Sequence, residues 1–165
     1  MHSNNSRQAG ISMSDTKKQT AELIREHGVI VAHMKSLTNS LKSMATEPGT
    51  GAARSAPLRD QIRLYRWSLY DFREAIRRII ALDDRILETL RGSATAEGVM
   101  GEHSEIQGKL DKAIRLAEDA VYKDLGRTEL NHYAVEIKET VTTLCRLIEM
   151  HIAEENRLFQ SVLKD

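Results

Sequence analysis

The chain has 165 residues, 41% hydrophobic and 29% charged, enough for one soluble domain burying roughly two-thirds of its unfolded surface. Its 24 basic and 24 acidic side chains cancel and only 4% of residues are aromatic, which speaks against nucleic acid or an anionic membrane as a partner. The single Cys145 excludes an intrachain disulfide framework and fits a reducing, cytoplasmic setting, and no apolar run approaches the ~18 residues that span a bilayer.

The opening MHSNNSRQAGISMSDTKKQT lacks the apolar centre of a secretory signal. Residues 1–14 therefore read as a disordered polar tail, with Met13 an alternative start, and 15–165 as the folded domain. From Ser14 to Met44, Leu23, Ile24, Ile30, Val31, Met34, Leu37 and Leu41 recur at three- and four-residue steps, which predicts an amphipathic helix. TEPGTGAARSAP, 46–57, reads as a loop from its Gly and Pro. A second helix is expected from Leu58 to a glycine stop at Gly92, with Ile62, Leu69, Phe72, Ile76, Ile79, Ile80, Leu87 and Leu90 as its buried stripe. A third is expected from Thr95 to Gly126, and a fourth from an N-cap at Thr128 to about Leu163. No segment alternates with period two, so no sheet is expected. Short turns at 92–95 and 126–128 force antiparallel neighbours, and the fold class is all-α, an up-down-up-down four-helix bundle.

Within that topology His27, Ile79, His103 and His151 fall at a similar depth, since the starts of helices one and three share an end with the finishes of two and four. Asp83 follows position 79 by four residues and Glu155 follows His151 by four, so each acid shares a helix face with its partner position. The chain also echoes itself: REHGVI at 25–30 matches GEHSEI at 101–106, and IIALDDRIL at 79–87 matches HIAEENRLF at 151–159, with Ile79 where His151 stands. Imidazoles and carboxylates converging from facing helices are how bundles hold non-haem iron or manganese.

These residues resemble the hemerythrin-like, or HHE cation-binding, family. Its members are four-helix bundles with one His early on helix one, His-x-x-x-Glu on helix two, His on helix three and His-x-x-x-Glu or a similar acid on helix four. REH at 25–27, GEH at 101–103 and HIAEENRLF carry the likeness, which covers about residues 20–163. It implies metal ligands at His27, Asp83, His103, His151 and Glu155, with the carboxylates able to bridge two irons. The chain departs from the pattern where Ile79 replaces the helix-two His and Asp83 replaces the usual Glu. A shift of register, with Ile80 as the His equivalent and Asp84 as its acid, does not restore the missing imidazole. Gln107 stands where oxygen carriers have a second helix-three His.

The remaining candidates read as ordinary structure. His33 lies off the His27 face, and His132 belongs at the far, exposed end of the bundle. Glu26, Glu102, Glu105 and Glu154 read as solvated acids, Glu154 with some claim to lie behind a ligand. Tyr65, Trp67, Tyr70 and Phe72 are expected to serve the core, as are Met34, Met44, Met100 and Met150, and Cys145 is expected to be buried and inert. No Ser-His-Asp set, phosphate loop or Cys-x-x-Cys pair supports hydrolytic or nucleotide chemistry. The expectation is thus a non-haem iron protein binding or sensing oxygen, nitric oxide or peroxide at a mono- or di-iron site, with weak peroxidase or oxidase turnover permitted. The competing expectation is a metal-free helical interaction module that kept the fold and lost the site.

Overall fold

In the computed structural model the described residues are 13–44, 55–89 and 94–164. They form four helices: α1 (Met13–Ser43), α2 (Ser55–Thr89), α3 (Ala94–Tyr122) and α4 (Arg127–Lys164). No strand occurs among the described residues. The expected polar tail lies largely outside them, as do most of the expected loop and Leu90. At 29 to 38 residues, the helices are rods about 44–57 Å long. Most helical stability in proteins comes from packing an amphipathic face, so the shared apolar seam holds them. α3 packs on α2 and α4, α1 packs on the same two, and α1 and α3 face each other across the diagonal. The start of α2 meets the α3–α4 connection, where Arg59 donates to the Leu125 carbonyl at 3.0 Å, so α2 and α3 run antiparallel. The bundle is the expected up-down-up-down one.

The helix ends depart from expectation in instructive ways. α2 begins at Ser55, so Ala56 and Pro57 belong to its first turn; proline is tolerated there because first-turn N–H groups have no helical partner. α3 stops at Tyr122, four residues before Gly126. The α4 cap is Gly126, not Thr128: the Gly126 carbonyl accepts from Leu130 N–H at 2.9 Å, and the Glu129 carboxylate reaches back to the Gly126 N–H at 2.9 Å. That is half of a capping box, with glycine in place of Ser or Thr.

The apolar stripes bury Leu23, Ile30, Leu69, Phe72, Ile86, Leu87, Ile106, Leu110, Ile137, Leu144 and Phe159 almost completely. Each such side chain contributes about 1.5–3 kcal/mol relative to exposure. Cys145 is buried as expected. Three residues assigned to the core are on the surface instead: Ile24, Met150 at 70% exposure and Trp67 at 58%. Ile24 sits at the margin of its stripe, but Trp67 and Met150 lie on the outer faces of α2 and α4, beside exposed Leu64 and Asp71 and exposed Arg146 and Glu154. Trp67 stacks instead with Arg66, whose guanidinium lies 5.1 Å from the indole and 4.9 Å from Tyr122. Tyr70 is only half buried and donates its hydroxyl hydrogen bond to Glu118. No described helix is long and apolar enough to cross a membrane.

Candidate metal centre

Every apolar stripe is interrupted at one level by polar residues. His27 sits between Leu23 and Ile30, Asp83 between Ile80 and Ile86, His103 between Val99 and Ile106, and His151 with Glu155 between Ile148 and Phe159. Helical spacing keeps these residues on the inward face. All five are buried, with Asp83 and Glu155 at 0% exposure. A polar layer closed between apolar layers is costly unless its groups satisfy one another or a bound ion.

The geometry is close. His103 Nε2 lies 3.2 Å from Asp83 Oδ2 and 3.2 Å from His151 Nε2. His151 Nε2 lies 3.1 Å from Glu155 Oε1 and 3.8 Å from Asp83 Oδ2. The two rings meet edge to face, with centroids 4.9 Å apart. One ligand atom from each of Asp83, His103, His151 and Glu155 lies within 4.8 Å of all the others. This cluster can hold a metal ion. His27 belongs to the same layer but not to that group: its Nε2 is 3.0 Å from the other oxygen of Glu155, Oε2. Glu155 thus stands between His27 on one side and the His103–His151 pair on the other.

Protonation decides what these atoms can do. His103 Nδ1 is 2.9 Å from Asp84 Oδ1, and His151 Nδ1 is 2.8 Å from Glu102 Oε2. Ionised carboxylates only accept, so both Nδ1 atoms carry hydrogens and donate them outward. In the neutral rings, both Nε2 lone pairs then point inward, toward two carboxylates. The approaches of Glu155 to His27 and His151 are short but lie off the hydrogen-bond line, and neither Glu155 oxygen has a hydrogen-bond partner. Asp83 Oδ1 is likewise buried without one. Buried acceptors that converge without donors repel one another, a cost of several kcal/mol per unpaired charge that a cation removes.

The titration directions follow from the same crowding. Burial works against the Asp83 carboxylate, but His103 and His151 together outweigh it and hold its carboxyl below the usual range. Burial also opposes an imidazolium at His103, and is outweighed by Asp83 and Asp84, so this ring is raised above its ordinary value. At His27 burial wins over Asp83 and Asn156, and the ring is lowered.

The structure brings all five expected ligands to one layer, four of them into a single cluster. One reading needs correction: Glu102 is not a solvated acid but the hydrogen-bond partner of His151. Asp84, which offers no remedy for the missing imidazole, holds His103. The signal for both was adjacency: each acid neighbours a ligand in sequence and, at the same depth, faces the ligand of the next helix. Gln107 is exposed, as are His132 and Glu154, and His33 lies against Phe72 with centroids 6.2 Å apart. No protein-family model, no curated protein and no solved structure matches this chain.

Ile79 lines a cavity of about 20 Å³ beside the cluster, together with six other isoleucines and the rings of His27 and His151. That is room for one water-sized molecule, but its walls offer few polar partners and suit a dry, apolar occupant.

Proposed function

We propose that this chain is a hemerythrin-like protein that binds non-haem iron at Asp83, His103, His151 and Glu155 and takes oxygen, nitric oxide or peroxide as its small ligand. The observation that carries the reading is Glu155: a carboxylate at 0% exposure, among imidazole nitrogens, with neither oxygen hydrogen-bonded. Two imidazoles and two carboxylates are a borderline-hard donor set that suits iron or manganese better than thiolate-seeking metals, and two carboxylates balance a divalent charge. Ferrous iron there would supply a redox-active centre with affinity for small diatomics. His103 and His151 would donate through Nε2, and Asp83 and Glu155 through their inward oxygens. The isoleucine-lined cavity excludes bulk water and favours an apolar ligand. His27, lowered by burial, keeps a neutral ring at the cavity wall, where it can hydrogen-bond such a ligand.

A second ion has fewer donors within reach, His27 and the outer oxygen of Glu155, because Ile79 supplies none. A metal-free helical module is the second reading, and Ile79 is the observation that favours it. Elemental analysis after anaerobic loading with ferrous iron separates the two, with His151→Ala as the control. About one iron per chain, absent from the control, supports a reduced site, and about two supports a di-iron centre. No iron in either protein would sink the metal reading. Peroxide consumption by the loaded protein then distinguishes a binder from an enzyme.

A further inference from the structure

Asp84 and Glu102 belong neither to the cavity wall nor to the four-residue cluster, yet each makes one short contact to a buried ligand ring. Their side chains are 45% and 34% exposed, so water could satisfy both carboxylates at little cost. Instead each is drawn onto an imidazole across a helix boundary. Asp84 on α2 holds His103 on α3, and Glu102 on α3 holds His151 on α4, at 2.9 and 2.8 Å. These are lengths expected of charge-assisted bonds. The third imidazole differs: His27 Nδ1 is buried with no hydrogen-bond partner, and the side chain nearby is the neutral amide of Asn156.

We propose that Asp84 and Glu102 are positioning residues of the metal centre, fixing the His103 and His151 rings with Nε2 turned inward and enriching both as donors. The proposal rests on the metal-binding reading above. Each acid is the sequence neighbour of one ligand, Asp83 or His103, and the anchor of another, so a ligand placed by one helix is oriented by the next. A carboxylate behind the outer N–H makes the inner nitrogen more basic and fixes the angle of the ring. His27 has no such support. The His103–His151 end of the layer is therefore the tight position and fills first, while the His27 end stays weak.

The test is the ferrous affinity of wild type, Asp84→Asn, Glu102→Gln and the double variant, measured by competition with a chromogenic chelator. Ligand-field spectra of the cobalt-substituted proteins give a second readout. Both positions are partly exposed and both replacements keep the side-chain shape, and far-UV circular dichroism checks that the bundle is intact. Each single change is expected to weaken binding roughly 10–100-fold and to shift the cobalt bands. Asp84→Glu, which keeps the charge, is expected to retain more affinity than Asp84→Asn. Wild-type protein that takes up metal while both variants bind it equally well, with unchanged spectra, would overturn this role alone. Wild-type protein that takes up no metal would overturn the metal reading and this role with it.

Discussion

The two α-hairpins bring unequal halves to one polar layer. The α3–α4 half contributes His103 and His151, each with an outward N–H held by a carboxylate, and Glu155 beside them. The α1–α2 half contributes Asp83, a His27 with no hydrogen bond at Nδ1, and Ile79 in place of a ring. The sequence echo between the hairpins is close enough that the same helical positions face each other. The chemistry at those positions has nevertheless diverged: the α3–α4 half presents three of the four clustered donors, and the α1–α2 half presents one, with Ile79 in the cavity wall. A repeated fold thus need not mean a repeated site.

Breaking the stronger half should have the largest effect. His151→Ala is expected to abolish iron uptake, read by elemental analysis, whereas His27→Ala should leave the first ion in place. Glu155→Gln comes next and acts in two directions. Metal uptake should disappear, while the metal-free protein should gain stability in urea denaturation, because a buried carboxylate without a hydrogen bond is gone. A loss of stability there would mean that Glu155 is paired in a way the geometry does not reveal.

Ile79→His would make the halves alike. It should raise metal occupancy and, without metal, cost about 1–3 kcal/mol by burying a polar ring in a site walled by isoleucine. Unchanged occupancy would show that position 79 does not face the ion. The smallest effects are in pH, where the halves should oppose each other in metal-free protein. His103 is raised above its ordinary 6.5 by Asp83 and Asp84 against burial, so its contribution is full below 6.5 and lost as pH rises through the folded value. His27 is lowered from 6.5 by burial, so its neutral form is favoured and stability rises with pH up to 6.5. Comparing His27→Gln with His103→Gln by denaturation from pH 5 to 9 should therefore separate slopes of opposite sign. Parallel slopes would refute the assigned asymmetry.

The bundle was legible because apolar spacing at three and four residues continues through every helix, and a long periodic run leaves little choice of element. The ligand layer was legible for the complementary reason: His27, Asp83, His103 and His151 each fall where that spacing calls for an apolar residue. Asp84 and Glu102 were hidden because, in a chain this rich in charge, an acid on the flank of a helix looks the same whether it meets water or a neighbour's imidazole. Only the rotation of adjacent helices decides between them, and the sequence does not carry that angle. Trp67 and Met150 were misplaced for a different reason: hydrophobicity alone assigns them to the core, although they fall on the faces opposite their apolar stripes. Gly126 was overlooked as a cap because its partner, the Glu129 side chain, supplies the contact that Ser or Thr would ordinarily make.

The exposed tryptophan has a practical side. Trp67 is the chain's one indole, and it lies about 24 Å along α2 from Asp83 at 1.5 Å per residue. Already wet in the native state, it should emit in folded protein much as it does in denaturant, and it stands too far from the polar layer for contact quenching by an ion there. Intrinsic fluorescence would therefore pass over both unfolding and metal uptake, and helix dichroism and metal absorption are the signals to follow.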